Sequence, residues 1–108
     1  MKRIYYLSSC DTCRRMMKEF NALDEFELID IKSSHIDAET LDFLKEKEGS
    51  YEALFSKRAI KYKTLGLKDK NLVDSDFRQL ILDEYTFLKR PVLIEGDRVV
   101  VGKLALRD

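Results

Sequence analysis

With one histidine and two cysteines in 108 residues, the chain is short of metal ligands. A structural zinc ion takes four, usually from two C-x-x-C pairs or from a cysteine pair with two histidines, so no metal site is expected. Charge of one sign is missing too, because twenty Lys and Arg offset twenty Asp and Glu. No global field then draws the protein to nucleic acid or an anionic membrane, and any anion site must be local. The apolar runs are far shorter than a membrane span, and Met1-Lys2-Arg3-Ile4-Tyr5-Tyr6-Leu7 is followed by polar residues too soon for a signal-peptide core. A cytoplasmic location is expected. There are no internal repeats, low-complexity tracts or linkers. With 44% hydrophobic residues, the chain reads as one folded domain with one modest core.

Periodicity supplies the elements. Residues 3–7, rich in β-branched and aromatic side chains, read as a short buried strand. Cys13, Met16, Met17, Phe20 and Leu23 recur at spacings of three and four, the mark of a helix over residues 12–23 with those residues in the core. Residues 26–31 form a second strand, completing a β-α-β unit expected to be right-handed and parallel. Asp37 is a good N-cap for a helix to residue 48, with Ile36 and Leu41 placed as an apolar staple, and Gly49 stops it. Ser50 can cap a short turn after it. A cationic stretch of Lys57, Arg58, Lys61, Lys63, Lys68 and Lys70 follows, read mainly as a solvated face. Asp74 or Ser75 is expected to cap a further helix ending near Phe87, with Phe77, Leu80, Ile81 and Tyr85 inward. Val92-Leu93-Ile94 and Val99-Val100-Val101 around Gly96-Asp97 make a tight hairpin. Only Lys103 to Asp108 follow Gly102, too few for a helix over the last strand. His35 has no assigned role.

Both cysteines lie in Ser8-Ser9-Cys10-Asp11-Thr12-Cys13-Arg14-Arg15, where a strand turns into a helix. A C-x-x-C at that place brings two sulfurs within bonding reach, and the free N–H groups at the helix start favour a thiolate. Arg14 and Arg15 are expected to add positive charge near Cys10, making it the more acidic, attacking thiol and Cys13 the resolving one. Two inert core thiols are the bland alternative, but the pair sits among polar residues and outside any apolar stripe. A structural disulfide of a secreted domain would call for a signal peptide and wider spacing. A reducing cytoplasm suits a pair that cycles between dithiol and disulfide.

The order strand, Cys10-Asp11-Thr12-Cys13, helix, strand, helical stretch, Arg90-Pro91 and hairpin resembles the arsenate reductase (ArsC)/Spx family over nearly the whole chain. Ser56-Lys57-Arg58 ahead of Tyr62-Lys63-Thr64-Leu65-Gly66-Leu67, and Leu88-Lys89-Arg90-Pro91-Val92-Leu93-Ile94, carry the resemblance further. It implies an α/β thioredoxin-like fold: a four-stranded mixed sheet from residues 1–35 and 88–108, with an inserted α-helical subdomain over residues 36–87. It also implies that Pro91 follows a cis bond and faces the cysteine turn, and that Arg58 and Arg90 hold an anion near Cys10. An arginine fork suits a tetrahedral oxyanion. No bound cofactor is implied, but an external thiol donor, glutathione with glutaredoxin or thioredoxin, is. Two departures matter. Gly102-Lys103 stands where arsenate reductases carry a third arginine, and Cys13 stands where many of them have no second thiol. The C-x-x-C resembles the Spx branch, redox-sensing regulators that bind the C-terminal domain of the α chain of RNA polymerase. A small disulfide reductase is the third reading. The enzyme is ranked first.

Overall fold

The computed structural model of the protein describes residues 2–105. It divides into two compact units, Met1–His35 with Arg90–Asp108, and Ile36–Lys89. In the first, β1 (Lys2–Tyr6), β2 (Glu27–Asp30), β3 (Val92–Glu95) and β4 (Arg98–Val101) form one mixed sheet in the order β2-β1-β3-β4. β1 pairs with β2 in parallel, while β1 with β3 and β3 with β4 are antiparallel. This register puts Ile94 opposite Arg3 and Val92 opposite Tyr5, so the segment from Arg90 enters beside the strand that leads to Cys10.

The pleat explains the core. Ile4, Leu28, Leu93 and Val100 occupy one cross-strand row, and side chains two apart share a face. Ile4 and Leu93 are fully buried with Ala22 and Phe26, and Tyr6, Phe20, Leu23, Val100 and Leu104 pack around them. Burying each such aliphatic side chain contributes about 1.5–3 kcal/mol. The hairpin turns on Gly96-Asp97, with Gly96 at φ 61°, a left-handed conformation that costs glycine little. Lys2 meets Glu25 at 3.2 Å and Glu95 at 3.7 Å, and Arg3 meets Glu27 at 2.9 Å.

Helix α1 (Asp11–Glu19) links β1 to β2. It is shorter than the predicted 12–23, because Phe20 turns extended (φ −87°, ψ 111°) and Leu23–Glu25 forms a separate 3-10 turn. The alternation also overran by a residue at each end of β2, where Phe26 and Ile31 are buried flanks.

The second unit holds α2 (Ala38–Glu48), α3 (Ile60–Thr64) and α4 (Asp74–Asp83), with 3-10 turns at Glu52–Leu54, Leu67–Asp69 and Tyr85–Phe87. The Asp37 carboxylate accepts from the Thr40 amide at 2.7 Å, and Gly49 ends α2 at φ 98° with its amide on the Lys45 carbonyl. Ser50 Oγ accepts from the Ala53 amide at 3.1 Å. Phe55 is the hub of the core, its ring 4.9 Å from both Phe77 and Phe87 and 5.8 Å from Tyr62.

Two predicted ends of α4 are corrected. The N-cap is Val73, which has no acceptor on its side chain; Asp76 accepts from the Val73 amide at 2.9 Å instead. Asp74 is turned away from that task, accepting from the Tyr51 amide at 3.0 Å and the Glu52 amide at 3.1 Å, the free donors at the start of the turn at Glu52–Leu54. At the other end α4 stops at Asp83. Glu84 goes extended, and its carboxylate accepts from both the amide and the hydroxyl of Thr86, which starts the turn at Tyr85–Phe87. No helix among the described residues is long and apolar enough to cross a membrane.

Candidate active site

The site is built on the turn between β1 and α1. The Cys10 amide donates to the Leu7 carbonyl at 3.0 Å, and the Arg14 amide donates to the Cys10 carbonyl at 3.1 Å. The first bond closes a tight turn off the strand and the second is the first rung of the helix. Cys10 is therefore the N-cap of α1, in extended conformation (φ −92°, ψ 113°). An N-cap side chain faces the free amides of the first turn. Here the Cys13 amide lies close enough to the Cys10 sulfur to favour its thiolate, short of full capping geometry. The turn also lies against the end of β2, with Ser8 close enough to the Asp30 carboxylate to favour its charged form, and that carboxylate accepts from the Lys32 amide at 3.1 Å. Ser8 first and the Lys32 amide after it hold the Asp30 carboxyl below its ordinary value.

Both cysteines are free thiols, Cys10 half-buried and Cys13 buried. Their environments pull them apart. Burial pushes Cys10 up, but the Cys13 amide, the Cys13 thiol and the Arg90 guanidinium together outweigh it, leaving Cys10 below its ordinary value. For Cys13 burial wins: with the negative charge of Cys10 beside it, the thiol is pushed up to about 11 against the opposing Leu7 backbone and Arg90. The two sulfurs are thus biased in opposite directions, Cys10 toward the thiolate and Cys13 toward the thiol.

The cation that acts on Cys10 is Arg90. This corrects the expectation for Arg14 and Arg15, which are exposed; Arg14 pairs with Asp11 one turn along. Arg90 is half-buried, and the peptide bond to buried Pro91 is cis. The Gly102 amide donates to the Pro91 carbonyl at 2.8 Å, extending the hairpin one step past its last strand pair, and Lys103 after it is exposed. Arg58 stands exposed in the other unit, between the turn at Glu52–Leu54 and α3, and His35 is exposed. Sequence reasoning missed Ser8 and Asp30; a small hydroxyl before a strand-to-helix turn and an acid ending the neighbouring parallel strand were the signal available. Among the described residues, no three His, Cys, Asp or Glu side chains gather as metal ligands would.

Comparison with known proteins agrees with this architecture. A family model described as the ArsC family matches residues 5–104. The chain is 29% identical over 102 residues to "Uncharacterized protein YusI" of Bacillus subtilis (strain 168), covering 91% of this chain and 86% of that protein. It is 25% identical over 101 residues to "Global transcriptional regulator Spx 2" of Bacillus anthracis, covering 92% and 77%. Among solved structures, that of "a possible arsenate reductase from Streptococcus mutans UA159" superposes with a TM-score of 0.75 at 29% identity, over 93% of this chain and 87% of that one.

Proposed function

The chain belongs to the ArsC family, and from that premise we propose that it is a cytoplasmic thiol-dependent oxidoreductase in which Cys10 attacks an oxyanion or a disulfide and Cys13 resolves the adduct. The observation that carries the reading is the opposed pull on the two sulfurs, Cys10 held down with Arg90 beside it and Cys13 held up by burial. Attack needs a thiolate, and resolution needs a second thiol that stays protonated until its turn.

With a disulfide substrate, the Cys10 thiolate bonds to one sulfur and the other leaves as a thiolate. Cys13 then loses its proton and attacks the Cys10 sulfur, releasing the second substrate thiolate and leaving a Cys10–Cys13 disulfide. With arsenate, Cys10 displaces water from arsenic. Attack by Cys13 breaks the sulfur–arsenic bond with its electron pair remaining on arsenic, which departs as arsenite. Either way two electrons leave the dithiol, and an external thiol donor, glutathione with glutaredoxin or thioredoxin, returns them. Arg90 is assigned to the anion as well as to the thiolate, and Pro91 shapes the wall. Lys103 brings a point charge without a fork, which favours a disulfide over arsenate.

The similarity to an Spx regulator supports one other reading, a redox sensor that binds the C-terminal domain of the α chain of RNA polymerase. Oxidation of a dithiol donor by arsenate or by a small disulfide, assayed with the purified protein beside a pull-down of that domain, separates the two. Turnover lost in Cys10→Ala without a pull-down supports the enzyme. Binding that follows oxidation, without turnover, overturns it.

A further inference from the structure

From the charge and apolar exposure of one segment in the helical unit, we infer that the surface around α3 and the turn at Leu67–Asp69 docks a protein partner that presents acidic side chains around aliphatic ones. In a chain of zero net charge, residues 57–70 carry six cations, Lys57, Arg58, Lys61, Lys63, Lys68 and Lys70, against one acid, Asp69. Two of these are used inside the protein, Lys57 on Glu52 at 2.7 Å and Lys61 on Glu84 at 2.5 Å. Lys63, Lys68 and Lys70 are exposed, and none has an ion pair among the described residues.

The same stretch concentrates exposed apolar surface. Of the four large hydrophobic side chains exposed among the described residues, Ile60 (79%), Leu65 (52%) and Val73 (60%) fall within fourteen positions. Single exposed aliphatics are ordinary, but three in one short cationic segment set it apart from the rest of the described surface, where Leu28 is the one other large hydrophobic side chain exposed. The segment is held firmly enough to present them: Ala59 and Leu67 are buried and the Tyr62 ring packs edge-on against Phe55.

The chemistry selects among anionic partners. Single-stranded nucleic acid binds by stacking bases on aromatic rings, and the one aromatic here, Tyr62, is engaged with Phe55. A membrane surface is held by a long amphipathic helix, whereas α3 has five residues. Exposed aliphatic and cationic side chains interspersed along one segment fit a protein surface of opposite charge.

The inference is independent of the redox reading, so each can fail alone. Nuclear magnetic resonance titration of the full chain tests it with a synthetic acidic peptide carrying leucines, and with one of equal charge carrying serines in their place. The leucine peptide is expected to bind at least about tenfold more tightly, since burying even two aliphatic side chains exceeds the 1.4 kcal/mol that tenfold represents. Shifted amides should fall within residues 57–73. Lys63→Glu/Lys68→Glu/Lys70→Glu should abolish binding, and Ile60→Ser/Leu65→Ser should reduce it to that of the serine peptide. Alkylation of Cys10 should be unchanged in both. If the charge-reversal variant does not fold, the apolar variant and the two peptides on the native chain decide. Equal binding of both peptides, shifts elsewhere, no binding, or tighter binding to phosphatidylglycerol vesicles or single-stranded DNA would overturn the inference.

Discussion

The sheet unit and the helical unit satisfy their backbones by different means, and that decides what their charged side chains are left to do. In the sheet unit, strand pairing takes up the backbone groups that β1 to β4 turn toward one another, and cross-strand rows such as Ile4, Leu93 and Val100 supply the core. Charges there sit on the rim, as Lys2 and Arg3 do, or face Cys10, as Arg90 does. The helical unit has helices of five, ten and eleven residues, too short to be stable alone. It relies on rings gathered at Phe55 and on carboxylates of Asp37, Asp74, Asp76 and Glu84 that close helix and turn ends. Removing the charge that faces Cys10 should therefore change reactivity, and removing the capping carboxylates of the second unit should change stability.

The largest effect expected is chemical. Cys10→Ser should abolish thiol-dependent turnover outright, whereas Cys13→Ser should keep the first attack and accumulate a mixed disulfide or stalled adduct, read by mass spectrometry. Loss of adduct formation in Cys13→Ser with its retention in Cys10→Ser would reverse the roles. Next comes Phe55→Ala, expected to destabilise by about 3–5 kcal/mol, the usual cost of emptying a buried ring site, measured by urea unfolding. If its cost were that of an exposed substitution, the aromatic cluster would not be what holds the helical unit.

Asp74→Ala should cost about 1–2 kcal/mol, like loss of a helix cap, because two amides of the turn at Glu52–Leu54 lose their acceptor. Hydrogen exchange at Tyr51 and Glu52 should accelerate, while the start of α4 should keep its protection through Asp76. The reverse pattern would mean that Asp74 caps its own helix, as its place in the sequence suggests.

That mismatch shows where sequence reading stops. The strands, α2 with Asp37 and Gly49, and the hairpin at Gly96-Asp97 were legible because local chemistry decides them: alternation, a cap acceptor, a positive φ. The turn at Cys10 was legible for the same reason. Asp74 is not decided locally, since its partners lie more than twenty residues away and leave no periodic trace. The ends of α1 and α4 ran long because apolar spacing continues through 3-10 turns that break the hydrogen-bond pattern while Leu23 and Phe87 still pack inward. Ser8 and Asp30 meet only because β1 and β2 pair in parallel.

Arg90 and Arg14 give the smallest and sharpest contrast, because proximity in sequence favours one and the fold favours the other. Alkylation follows the thiolate, so a thiol held below its ordinary value reaches its plateau rate at a lower pH than it would without the groups that hold it down. In Cys13→Ser protein that midpoint belongs to Cys10 alone. Burial continues to push the thiol up after Arg90→Ala, while the opposing guanidinium is gone, so the midpoint should move upward and reactivity at neutral pH should fall. Arg90→Lys should restore part of it, as a charge without the fork. Arg14→Ala should leave the profile in place, since that side chain is exposed and paired with Asp11, and an exposed ion pair is screened by water and salt. A midpoint that follows Arg14 and ignores Arg90 would mean that the start of α1, with its own charges, governs the thiolate and that the strand entering at Pro91 does not.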